Sequence, residues 1–115
     1  FVDASVASVE AARAAGADRI ELYTEPYAAA FAAGGASGAA DCLARFVAAA
    51  RRARELGLGV NAGHDLNLDN LPDFLAAVQP DEVSIGHAFV ADALWFGLEG
   101  ATRRYVACCR GESFE

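Results

Sequence analysis

The chain holds two histidines, and each follows a glycine: Gly63-His64 and Gly86-His87, 23 residues apart. A histidine titrates near neutral pH, so it can give or take a proton in a reaction. The glycine before it lets the backbone turn sharply and come close to a ligand. For either histidine alone, a hydrogen bond to a neighbouring loop would be explanation enough; two in matching positions favour a shared site. Glu21 is the third candidate. It stands between Ile20 and Leu22, so in an extended strand its carboxylate points away from theirs. A carboxylate facing an interior needs a partner or a function, and an ion pair with an interior arginine from outside these residues is the structural alternative. Gly86-His87 also lies a few residues ahead of a helical stretch. Backbone N–H groups and the positive end of a helix dipole suit a phosphate there; an ordinary tight turn is the alternative. Cys42, Cys108 and Cys109 lack metal-ligand spacing, so no metal site is expected, and they read as packing or surface residues.

The elements that must position these residues alternate. Residues 1–4 read as the end of a strand, and Ser5 as the cap of a helix over 6–15 stopped by Gly16. Residues 19–24 alternate at period two, as a strand does. The stretch 28–40 is almost all alanine and glycine and reads as a loop or loosely helical insertion. A helix is expected over 41–56, a strand over 58–62, a short helix over 70–78 and a strand over 83–85. A last helix over 91–109 is expected to break near Gly97 or Gly100, with Trp95 and Phe96 in a core or interface and a frayed polar tail at 110–115. Asp65 and Asp69 suit turn and capping roles. Strand followed by helix, four times over, means parallel strands with helical crossovers. Four such units make half of an eight-unit barrel or a small open doubly wound sheet. Either way the chemistry belongs at the C-terminal strand ends. Glu21 and Thr24, Asn61 and His64, and Gly86 and His87 all fall there.

Composition narrows the classes. The 115 residues suffice for one domain, and 55% hydrophobic with 22% charged excludes a disordered chain. No apolar run reaches the roughly 18–20 residues of a membrane span. The net charge is −7 and all nine basic residues are arginine, without a basic stripe, which argues against nucleic acid as a partner. The cysteines form no disulfide framework, so a cytoplasmic setting is expected. The chain starts at Phe1, contains no methionine and lacks the pattern of a signal peptide. It reads as a piece of a longer chain.

Three strings carry a resemblance. Gly16-Ala17-Asp18-Arg19-Ile20-Glu21-Leu22-Tyr23-Thr24, Glu55-Leu56-Gly57-Leu58-Gly59-Val60-Asn61-Ala62-Gly63-His64 and Ser84-Ile85-Gly86-His87-Ala88 resemble the pyridoxine 5′-phosphate synthase family, in the same order and spacing. The resemblance runs over residues 1–109. It implies an α/β fold, the (β/α)8 TIM barrel, with residues 1–115 as the C-terminal half of that single domain. It further implies condensation of 1-deoxy-D-xylulose 5-phosphate with 3-amino-2-oxopropyl phosphate, giving pyridoxine 5′-phosphate, phosphate and water. No metal or organic cofactor is implied, and a homo-oligomer is expected. On the matching positions His64 takes the role of general acid, and Glu21 that of a carboxylate supporting catalysis. Asp65, Gly86 and His87 become contacts to the amino-oxopropyl phosphate. Asp65 and Glu25 stand where the family has glycine, and Tyr23 where it has histidine. The family's other catalytic histidine and glutamate belong to the first half of the barrel. The alternative is a non-catalytic phosphate-binding or assembly half-barrel module.

Overall fold

Alternation at residues 19–24 and 59–63 produces a sheet with two unlike faces. The computed structural model describes residues 1–114. Strands β1 (Arg19–Tyr23), β2 (Gly59–Gly63) and β3 (Glu82–Ser84) run parallel in the order β1-β2-β3. Glu21 pairs with Asn61 and Tyr23 with Gly63, while Gly63 also pairs with Ser84. Ile20, Leu22, Val60 and Ala62 all turn to one face and are buried there. Arg19, Glu21, Asn61, Glu82 and Ser84 lie on the other face and are half-buried or exposed. A hydrogen-bonded row crosses that open face, from Arg19 Nε to Asn61 Oδ1 at 3.1 Å and from Asn61 Nδ2 to Glu82 Oε2 at 3.2 Å. Residues 1–4, expected as the end of a strand, contribute a single bridge from Val2 to Leu22. The fold is therefore mixed α/β with a parallel three-stranded sheet.

Helices α1 (Val6–Ala14), α2 (Glu25–Glu55), α3 (Leu71–Val78) and α4 (His87–Cys109) provide the connections. Ser5 caps α1 by accepting the Ser8 N–H at 3.1 Å. Of the two readings of 28–40, loop and helical insertion, the helical one is observed. Its alanines have the highest helix propensity of any residue. Gly35 is the one non-helical point, at φ 65° and ψ −162°, so α2 is two helices meeting at a kink. The last helix starts at His87 rather than 91 and breaks at Gly97, φ 75°. Gly100 continues the helix.

The helices cover the apolar face. Tyr27 and Phe46 from α2 meet Phe74 from α3, with ring centroids 5.3 Å (Tyr27–Phe74) and 5.6 Å (Phe46–Phe74) apart. All three are essentially buried. Arg52 ties α2 to α1 through Glu10 at 3.0 Å, an exposed pair contributing little to stability. Of the cysteines, Cys42 is buried, Cys108 half-buried and Cys109 exposed; burial pushes the Cys108 thiol up, away from the thiolate that nucleophilic chemistry needs. Trp95 and Phe96 are not core residues: Trp95 is 86% exposed, and Val90, Leu94 and Leu98 of α4 are exposed as well. No helix among the described residues is long and apolar enough to cross a membrane. Residues 112–114 of the tail have no regular structure; Glu115 lies outside the described residues.

Candidate active site

The parallel register places His64, directly after β2, and Gly86, two residues beyond β3, at the same end of adjacent strands. Glu21 reaches that end from β1. Gly63 makes the approach possible: a Cβ there would sit 2.9 Å from Glu21 Oε2, so only glycine leaves the carboxylate its place. Glu21 Oε2 then lies 3.7 Å from Nδ1 of His64. The neighbouring Arg19 bonds Asn61. His64 Nδ1 is 2.9 Å from the Gly63 carbonyl. A carbonyl only accepts, so Nδ1 must carry the proton in that contact and Nε2 is the ring's free nitrogen. The imidazole packs against Tyr23 and Phe1, with ring centroids at 4.7 and 5.1 Å.

His87 is the first residue of α4 and Gly86 its N-cap. The opening N–H groups of a helix have no intrahelical partner, which leaves donors at this rim for an anion. His87 and Asp65 line one cleft of about 310 Å³, together with Glu25 and Ala28 of α2. The five candidates thus form two clusters: Glu21 with His64 over the sheet, and Asp65 with Gly86 and His87 beside α4. The two histidines share a rim but not a cavity. A larger cavity of about 670 Å³, lined by Leu75, Arg104, Cys108 and Phe114 among others, contains none of them. Among the described residues no group of three or more potential ligands is placed to hold a metal ion.

Comparison with known proteins is decisive on kinship. Residues 1–111 match the family described as Pyridoxal phosphate biosynthesis protein PdxJ. The chain belongs to the PdxJ family. It is 55% identical to a pyridoxine 5′-phosphate synthase of Albidiferax ferrireducens over 109 residues, 94% of this chain and 42% of that protein. Proteins of the same name from Xanthomonas oryzae and Xanthomonas campestris are 55% and 56% identical, over 96% of this chain and 43% of theirs. The chain spans about two-fifths of the length of the curated relatives it matches.

In this PdxJ chain the backbone at the site is held by Thr24, which the sequence already places at this rim, and by Asn70, which it does not. Thr24 Oγ1 donates to the His64 carbonyl at 2.5 Å, and Asn70 Nδ2 to the Asp65 carbonyl at 3.2 Å. Tyr27 donates in turn to the Asn70 carbonyl at 2.6 Å. Burial pushes that phenol up to about 12, so it stays a donor at any ordinary pH. The sequence places Thr24 at a strand's C-terminal end and Asn70 at the opening of a short helix, and neither position says which backbone the side chain holds.

Proposed function

We propose that this chain is the C-terminal half of one (β/α)8 barrel domain, residues 1–115, of a pyridoxine 5′-phosphate synthase. The supporting observation is the Glu21–His64 pair, 3.7 Å apart over Gly63 at the strand ends, in a chain about 55% identical to proteins of that name. The substrates in this reading are 1-deoxy-D-xylulose 5-phosphate and 3-amino-2-oxopropyl phosphate. The amine attacks the carbonyl carbon, and His64, as general acid, supplies the proton that lets the oxygen leave as water. Glu21 sets negative charge beside the cationic nitrogen so formed. Later proton transfers release phosphate and close the aromatic ring. Gly86, His87 and the loop at Asp65 hold the phosphate of the amino-oxopropyl substrate. The exposed apolar side chains Val90, Leu94, Trp95 and Leu98 support association of copies into a homo-oligomer, and a cytoplasmic setting fits free thiols.

The test is turnover of both phosphates by the gene product that carries this sequence, followed as pyridoxine 5′-phosphate and inorganic phosphate formed together. One-to-one formation is expected. Phosphate binding without turnover would instead favour the non-catalytic module.

A second expectation concerns Asp65. Its φ of 60° is in the left-handed region, and it lines the cleft assigned to a phosphate. Asp65→Gly removes both the backbone cost and a repulsion of about 1 kcal/mol per charge at 4 Å in water. Inorganic phosphate should bind several-fold more tightly to the variant in a calorimetric titration, with stability changed by less than about 1 kcal/mol. Unchanged or weaker binding would put the phosphate elsewhere.

A further inference from the structure

The turn after β2 holds two consecutive non-glycine residues at positive φ, His64 at 95° and Asp65 at 60°. Such conformations persist only where surroundings enforce them. Here three consecutive carbonyls are held from two directions. The Gly63 carbonyl accepts the Thr24 N–H at 2.9 Å, the His64 carbonyl the Thr24 hydroxyl, and the Asp65 carbonyl the Asn70 amide. Asn70 is itself fixed, since its Oδ1 accepts the Asn67 N–H at 2.9 Å. Apart from tyrosine and cysteine, Thr24 and Asn70 are the only buried polar side chains among the described residues.

Both occupy helix N-cap positions, Thr24 for α2 and Asn70 for α3, and neither side chain caps its helix. Threonine and asparagine at that position ordinarily accept an N–H of the first turn. Their turning to the 63–65 backbone marks a role beyond helix termination. The Gly63 carbonyl is at once the acceptor for Thr24 N–H and the group 2.9 Å from His64 Nδ1.

We propose that Thr24 and Asn70 are positioning residues for His64, holding the 63–65 backbone so that the ring stays in its Nδ1–H tautomer and presents Nε2 to a ligand. This deepens the reading of His64 as general acid and rests on it only for the kinetic readout. Nδ1 is committed to the Gly63 carbonyl and faces Glu21, so Nε2 is the atom that exchanges the proton. Loss of the Thr24 hydroxyl frees the His64 carbonyl, lets the turn relax from positive φ and breaks the Nδ1 contact.

The experiment is ¹⁵N NMR of the imidazole rings in the gene product, with His64 assigned by the signals lost in His64→Gln. Wild type is expected to show neutral His64 as Nδ1–H. Thr24→Ser, which keeps the hydroxyl, should do the same, whereas Thr24→Val should shift it towards Nε2–H. In turnover, Thr24→Val should lower kcat about 10- to 100-fold at nearly constant KM, the scale expected of a displaced reacting group, and Thr24→Ser should recover most of the loss. Wild-type His64 as Nε2–H overturns the proposal, as does a folded Thr24→Val that keeps Nδ1–H. Should Thr24→Val not fold, Asn70→Asp, which lacks the amide donor, is read by the same two criteria. The expected tautomers without synthase turnover would leave the clamp standing and remove the assigned reaction.

Discussion

Replacing His64 with alanine is expected to lower pyridoxine 5′-phosphate formation by about 100- to 10,000-fold, the range a positioned general acid supplies. Folding should hardly notice. The side chain is 41% exposed, its ring contacts are with Tyr23 and the 82% exposed Phe1, and no apolar core group is removed. Alanine inherits the φ of 95°, so the backbone cost of that turn is nearly unchanged. The measurement pairs steady-state kinetics with a thermal melt of the same sample. A melt within a few degrees of wild type and a collapsed kcat is the expected combination. Near-normal turnover would remove His64 from the chemistry, and loss of both would make it a structural residue.

Phe74→Ala should do the opposite. Phe74 is fully buried on the eight-residue α3, against Tyr27 and Phe46 of α2. Truncating a buried phenylalanine costs about 3–5 kcal/mol, the transfer of the ring plus the cavity left behind. Against a total of roughly 5–15 kcal/mol, that removes a large share of the stability of the fold. Urea titration should show the unfolding free energy lowered by that amount, as a lower midpoint at constant slope. The site should suffer indirectly as well, because Tyr27 both packs on Phe74 and donates to the Asn70 carbonyl. A loss below about 1 kcal/mol would mean that α3 closes over the gap and that the ring cluster is not the anchor of this helix.

What sequence made legible, and what it hid, divides along physical lines. Period-two alternation around Glu21 sets its face directly, because an extended chain permits only two; Glu21 is on the polar face, as its neighbours require. Residues 28–40 were opaque because alanine and glycine write no amphipathic pattern, although alanine itself favours helix. The start of α4 carries no signal because Gly86 caps it without a side chain, and hydrophobicity alone does not divide core from interface at Trp95, which is exposed in this chain. The kinship with PdxJ proteins was carried by the strings around His64 and His87 and holds over residues 1–111. The Thr24–Asn70 clamp had no comparable signature. Its acceptors are backbone carbonyls, which every residue has, and the Thr24–His64 bond spans 40 positions of chain.

The pairing of β2 with its neighbours has a consequence for how this sequence can change. Because side chains alternate, sliding β2 by one residue would turn Val60 and Ala62 out to the polar face and carry Asn61 into the apolar layer. The same slip would take Gly63 from beneath Glu21 and His64 from the rim. Core and site are thus two readings of one alignment. A substitution that loosens β2 cannot erode stability quietly while activity persists, so selection on turnover alone would also police the packing of residues that never meet a substrate.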